Sequence, residues 1–349
     1  MKCTIQNIAD HLGLSRNTVS KALKNSSEVS ENTRNLVIKT ASKLGYKNAT
    51  FATPVIPASE TGSNGTILFL TRTYASDSEF WTTVLRGIES ILSNANYHLA
   101  ISIMSDSDLK QLNFPQTISD SSIKGIILVE ICDKVVCDAL SQFNLPMISV
   151  DMTNVPFEEL NGIDVVTMES KKNLKKIINQ LIEKGAESFG FVGDLYSPNV
   201  SRGFQERYNA LSECLAEHQL PLNQKNCLLH QTPEDFRNFQ TTVNNLQAMI
   251  SLPDVFICGN DWTAIQLIYA LQFLGFQIPK DICVVGFDNI PAASRISPSL
   301  TTISTPQKYL GIAAARQILE RIQHPNCPHV FCQYETELII RNSTNIISF

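Results

Sequence analysis

The stretch from Thr4 to Tyr46, TIQNIADHLGLSRNTVSKALKNSSEVSENTRNLVIKTASKLGY, constrains the fold more tightly than any other part of the chain. Ile5, Ile8, Ala9 and Leu12 recur at helical spacing and give a first helix one apolar stripe. Gly13 ends it, because glycine turns the chain there at no steric cost. Ser15 is placed to cap a second short helix with Val19, Ala22 and Leu23 facing inward. Ser30 is placed to cap a third, whose predicted buried face is Leu36, Val37, Ala41 and Leu44. Helix, tight glycine turn, helix and a bracing third helix make the layout of a helix-turn-helix nucleic-acid reader. Its second helix presents Arg16, Asn17 and Lys21, polar side chains suited to base edges and phosphates.

Charge points the same way. The first 50 residues carry eight Lys/Arg against three acids, while the whole chain is at −5. A basic module on an otherwise acidic protein repels polyanions everywhere except where it is meant to touch them. A small helical bundle with a solvated basic face is the bland alternative; turn, caps and charge together favour the reader. Thr4, Ser15, Thr18, Lys24, Thr33 and Arg34 complete the candidate DNA-contacting set with Arg16, Asn17 and Lys21.

The same residues resemble the lactose/galactose repressor family of bacterial transcription regulators. IADHLGLSRNTVSKAL is similar to its helix-turn-helix signature, and EVSENTRNLVIKTASKLGY to the helix that follows, both without a gap. The resemblance continues in GNDWTAIQLIYALQFLGFQIPKDICVVGFDNIPAASRISPSLTTI (259–303), FVGD (191–194) and ERYNALSECLAEHQLPLN (206–223). It implies a two-lobed sugar-binding-protein-like domain whose lobes are joined by three crossovers. One stretch departs from the family. Relatives usually carry a hinge helix with an Ala-Arg-x-Leu core that enters the minor groove, whereas this chain has Pro54 and Pro57 where that helix would run. Operator binding with little central kinking is therefore expected.

Length and patterning supply the rest independently. At 349 residues, two or three domains are expected. We assign residues 1–47 to the reader, 48–64 to a linker rich in Pro, Ser and Thr, and 65–349 to an effector-binding and dimerisation domain. From Gly65 onward, apolar strands such as TILFL (66–70), GIILVE (125–130), MISVD (147–151) and DVFICGND (254–261) alternate with amphipathic helices. That alternation predicts two α/β lobes with parallel sheets covered on both faces, and a cleft at the carboxyl ends of the strands. No apolar run approaches the roughly 20 residues that span a bilayer, and no secretory segment is apparent, so a cytoplasmic protein is expected. The nine cysteines mostly sit in apolar segments and read as buried free thiols. His324, Cys327, His329 and Cys332 fit no closed zinc pattern; a linker into a strand explains them better than a metal site.

Arg207 and Asp261 are the candidate effector pair, because a guanidinium and a carboxylate each make two hydrogen bonds in a planar fork, as polyhydroxyl ligands require. The matched family positions bind sugar hydroxyls. Asp261 ends an apolar run and is expected to point into the cleft; the alternative is a cap of the helix that begins at Trp262, and both roles could coexist. A solvated helix arginine is the alternative for Arg207. Phe80, Trp81 and Trp262 open helices at the expected rim, where aromatic faces stack on sugar rings or simply pack the core. Asp288 either touches ligand or caps the next turn, and the resemblance favours the structural role. No nucleophile elbow, Walker loop or dinucleotide fingerprint is present, and no catalytic residue, metal or cofactor is expected. The chain thus reads as a non-enzymatic regulator that binds a pseudo-palindromic operator as a homodimer and responds to a small sugar-like effector. The alternatives are control by a protein partner or a nucleoside ligand, a receptor without regulatory DNA binding, and a sugar-processing enzyme with a fused reader.

Overall fold

The computed structural model describes residues 4–23, 29–30, 33–34, 36–37, 40–41, 63–72, 78–131, 133–151, 157–160, 162–195, 202–230 and 238–345. Lys24, Leu44 and nearly all of the linker, with Pro54 and Pro57, lie outside the described residues. The chain divides into two compact units, Met1–Gly62 and Ser63–Phe349.

In the first unit, α1 (Ile5–Leu12) begins with a capping box: the Thr4 hydroxyl accepts the Asn7 N–H, and Asn7 Oδ1 accepts the Thr4 N–H at 2.9 Å. Gly13 ends α1 at φ +64, a left-handed turn in which a side chain would be strained. Ser15 then accepts the Thr18 N–H at 3.0 Å and starts α2 (Arg16–Leu23). Residues 33–34, 36–37 and 40–41 are helical, with the Ser30 hydroxyl accepting the Thr33 N–H. Ile8, Ala9, Val19, Ala22, Val29, Val37 and Ala41 make the core. Leu36 corrects the sequence reading, being 51% exposed. Val37, Thr40 and Ala41 follow the i, i+3, i+4 stripe, and a residue one position before Val37 is turned about 100° away from that stripe.

Among the described residues the second unit holds two six-stranded sheets. Strands β1 (Gly65–Thr71), β2 (Tyr97–Ile103), β3 (Ile123–Val129), β4 (Met147–Val150), β5 (Ile163–Met168) and β11 (Phe331–Tyr334) run in the order β11-β5-β4-β3-β1-β2, all parallel. Strands β6 (Phe189–Asp194), β7 (Leu228–His230), β8 (Val255–Cys258), β9 (Cys283–Asp288), β10 (Thr301–Ser304) and β12 (Glu337–Ile339) run in the order β12-β10-β9-β8-β6-β7, with β12 antiparallel to β10. Among the described residues its α-helices are α3 (Glu79–Asn94), α4 (Asp106–Gln111), α5 (Lys134–Ser141), α6 (Lys172–Glu183), α7 (Arg202–Glu217), α8 (Phe239–Ala248), α9 (Asp261–Phe273) and α10 (Gln307–Gln323).

Both faces of the strands are buried, which is why they read as continuous apolar runs. Ile67 and Phe69 face one core and Leu68 and Leu70 another; in the second sheet Val255 and Ile257 oppose Phe256 and Cys258 in the same way. The chain crosses between lobes three times, at residues 169–171, 305–306 and 335–336, because α10 returns to pack on α3, β4 and β5 before β11 and β12 complete one sheet each. This arrangement agrees with the expected two-lobed, parallel α/β architecture. Cys137, Cys214, Cys258 and Cys283 are buried free thiols, whereas Cys327 is exposed. The stretch from His324 runs into β11 and is tied down by buried Arg321, which donates to Asp164 at 2.8 Å and to the Pro328 carbonyl at 2.8 Å. Among the described residues no helix is long and apolar enough to cross a membrane.

Candidate functional site

Two sites emerge, one in each unit. At the start of α2, Ser15, Arg16 and Asn17 are exposed in succession, so this helix presents its first turn outward while Val19 and Ala22 anchor it from behind. The hydroxyls of Ser15 and Thr18 lie 2.8 Å apart, and Ser30 and Thr33 repeat the arrangement. These residues, and Thr4, hold the helix starts in place, with a cap contributing about 1 kcal/mol. Lys21 is half-buried on α2. Arg34 is half-buried too, with its guanidinium donating to the Val29 carbonyl at 3.0 Å. At the first turn of α2 the exposed side chains are thus Ser15, Arg16 and Asn17, with the Ser15 hydroxyl engaged in capping.

The second site lies where the carboxyl ends of the strands in the two lobes approach. Arg207, on α7, is 3% exposed, which removes the reading of a solvated arginine. Its Nη1 donates to the Gly259 carbonyl at 2.6 Å, its guanidinium carbon stands 3.6 Å from the centre of the Phe287 ring, and its buried Nε has no partner. A guanidinium over an aromatic face keeps its in-plane donors available. Gly259 is required here: a Cβ would lie 2.0 Å from the Phe204 ring, which packs with Arg207 on the same helix. Burial draws the guanidinium down from its usual value, and Asp288 and then Asp151 oppose that shift.

Asp261 does not play the expected part. Strand β8 ends at Cys258, Asn260 caps α9 by accepting the Thr263 N–H at 2.9 Å, and Asp261 is the first residue of the helix. It has no solvent exposure, and its two carboxylate oxygens accept from the Thr302 hydroxyl at 2.5 Å and the Ile290 N–H at 2.9 Å. It therefore fastens the β9 and β10 ends from inside the lobe and does not line the cleft. Burial pushes its carboxyl up to about 7, against the pull of Thr302 and Ile290. Gly286 makes room for it, since a Cβ there would stand 2.2 Å from Asp261 Oδ1.

The carboxylate next to Arg207 is Asp288, at the end of β9. Its φ of +115 is a costly conformation for a residue with a side chain, and such outliers gather at functional sites. Burial raises its carboxyl well above the usual range, with Arg207 pulling it down and Asp261 and Asp151 pushing it further up. From the other lobe come two residues that the sequence reading did not single out. Glu130 and Asp151 end β3 and β4 at φ +57 and +70, and the Val129–Val150 register makes them neighbours. Their only signal was position, as the first polar residue after an apolar strand. Trp81 Nε1 donates to Glu130 Oε1 at 2.8 Å, and Trp81 and Phe80 are 8% and 7% exposed, meeting edge to face at 4.7 Å. Both rings therefore belong to the lobe core, with the Trp81 indole orienting Glu130. Trp262 is 36% exposed at the start of α9.

Residues 4–48 match the bacterial regulatory proteins of the lacI family, and residues 178–344 match a periplasmic binding protein-like domain. The chain is 26% identical to the ribose operon repressor of Haemophilus influenzae, over 97% of this chain and 98% of that one. It is 27% identical to catabolite control protein A of Staphylococcus xylosus, over 94% and 97%. Among solved structures, the lac repressor dimer bound to operator and an anti-inducer superposes with a TM-score of 0.67 at 19% identity, covering 99% of both chains. A regulator from Enterococcus faecium with bound ribose superposes with a TM-score of 0.66 at 23% identity, over 80% of this chain and 98% of that one.

Proposed function

We propose that this chain, similar at residues 4–48 to the lacI family of bacterial regulatory proteins, is a DNA-binding transcriptional regulator that represses a carbohydrate-utilisation operon under the control of a small sugar-like effector. It acts in the cytoplasm as a homodimer, one reader per half-site of a pseudo-palindromic operator, because a single short recognition helix offers too few base contacts for useful specificity. Residues 1–47 read the operator, residues 48–64 link, and residues 65–349 bind effector and partner subunit. The relatives named as repressors, and the relative holding ribose, support this reading.

The observation that carries the effector role is Arg207: a buried guanidinium with an unpartnered Nε, beside Asp288 of its own lobe and Asp151 of the other. A ligand hydroxyl bridging these groups would bind both lobes at once. Coupling then follows, because a ligand that binds one lobe arrangement better than another shifts the population toward it. The test is operator binding by fluorescence anisotropy with the full chain, titrated with a panel of mono- and disaccharides. An effector that changes operator affinity in wild type and not in Arg207→Ala, with the ligand-free affinity of the variant unchanged, is the expected result. A full response in Arg207→Ala would place the effector elsewhere.

A further inference from the structure

Asp288 is held in place from a crossover between the lobes. It ends β9 at φ +115, and Asn289 follows at φ +55. Two successive residues with side chains stay in such conformations only where their surroundings over-determine them. Here the surroundings are the second crossover, residues 305–306, and its flanks. Asn289 donates through its backbone N–H to the Thr302 hydroxyl at 3.3 Å and through Nδ2 to the Ser304 hydroxyl at 3.1 Å. Its Oδ1 accepts from Arg341 at 2.7 Å. The Asp288 carbonyl accepts twice, from the buried Thr305 hydroxyl at 3.2 Å and from Gln307 Nε2 at 2.6 Å. Gln307 is the first residue of α10, which packs on α3, β4 and β5 and so moves with the lobe of the first sheet. Its bond to Asp288 therefore joins a helix of one lobe to a cleft residue of the other. The first and third crossovers are tied differently. The Glu169 N–H donates to the Tyr334 carbonyl at 2.8 Å, and Asn173 Nδ2 to the Thr336 carbonyl at 2.7 Å, so those two segments hold each other.

We propose, on the reading that the cleft binds the effector, that Thr305 and Gln307 are positioning residues that couple the Asp288 turn to the angle between the lobes. A shift of that turn on binding alters a bond whose donor belongs to the other lobe. A change of lobe angle moves the donor, and with it the turn that carries the Asp288 carboxylate. The coupling runs both ways, as linkage requires.

The test compares full-chain wild type with Thr305→Val/Gln307→Met, which keeps both shapes and removes both donors, and with Thr305→Ser, which keeps the hydroxyl. Ribose, glucose, galactose and mannose are the probes, each brought to saturation as followed by calorimetry. The readout is the ratio of operator affinities with and without sugar. A sugar that shifts wild-type affinity on the order of 10-fold should still bind the double variant yet shift its operator affinity less than about twofold, while Thr305→Ser responds as wild type does. A full shift in the double variant would overturn the proposal whatever its thermal midpoint, because bonds that only stabilise the fold change the midpoint and not the ratio. Hydrogen exchange without sugar is the second arm. In the double variant, exchange should rise about tenfold at the Asn289 and Ile290 amides and also at Glu169 in the first crossover. A rise confined to residues 288–290 would overturn the proposal, since the two bonds would then hold one turn and leave the lobe angle alone. If none of the sugars binds wild type, the effector reading fails, and the exchange pattern still decides whether Thr305 and Gln307 constrain the lobes.

Discussion

Asp261 is fully enclosed, yet its carboxylate fastens two segments, accepting from the Ile290 N–H and the Thr302 hydroxyl. Burial raises its carboxyl from the ordinary 3.8 to about 7. A pKa raised in the folded state means the folded chain holds the proton more tightly than the unfolded one. Its stabilising contribution is therefore complete below about pH 4 and is lost as pH rises through 7. Asp261→Asn cannot ionise, and its amide can still accept from Ile290 and donate to Thr302 Oγ1. Urea unfolding should show a wild-type midpoint that falls between about pH 4 and 7 and a flatter profile for Asp261→Asn. Parallel profiles would mean that other groups set the dependence. Gly286→Ala forces a methyl against the same carboxylate and the Leu300 side chain, so a loss of about 1–3 kcal/mol in the same assay is expected.

Elements differ in what they leave exposed. Helix α2 buries only Val19 and Ala22 and offers its first turn to solvent. Arg16→Ala or Asn17→Ala should cost about 1–3 kcal/mol for the cognate operator while non-specific binding stays nearly intact. Footprinting beside wild type checks this; equal losses on cognate and random DNA would mean contact with phosphate alone. Helices α3 and α10 show the opposite economy, since they touch backbone to backbone. A Cβ on Gly87 would lie 2.2 Å from the Lys308 carbonyl oxygen, and one on Gly311 would lie 2.0 Å from that of Val84. Alanine at either position must push the helices apart, and a cost of about 1–3 kcal/mol is expected, read as a lower thermal midpoint with the reader unaffected.

At the scale of the whole molecule, the two units have cores of very different size. Among the described residues the first buries seven apolar side chains, whereas the second holds clusters that run through both sheets. Small cores leave small margins of stability. Calorimetry should therefore show a lower transition for the reader and an upper one for the lobes. An effector bound between the lobes should raise only the upper transition, because a ligand stabilises only the unit whose folded form it binds. A single transition that moves as a whole with effector would show that the units unfold together.

Much of this protein follows from sequence alone because it is local. Thr4, Gly13, Ser15 and Ser30 end and start helices through bonds spanning three or four residues, and the doubly buried strands announce themselves as apolar runs. Those signals were enough for the helix-turn-helix unit and the two lobes. Which carboxylate serves Arg207 was not legible. Asp261 and Asp288 both follow apolar runs, and sequence spacing cannot tell them apart. Tertiary structure decides between them: Asn260 takes the cap, leaving Asp261 in the first turn of α9 bonded to the β9 and β10 ends, while φ +115 sets Asp288 next to Arg207. Glu130 and Asp151 become neighbours only through the parallel pairing of β3 with β4, two strands whose ends are 21 residues apart in the chain. Leu36 is apolar in composition and exposed in place, because helical phase is settled by which neighbours a stripe meets. Local bonding fixes where elements begin and end; the long-range pairing of strands and lobes fixes which charges confront one another.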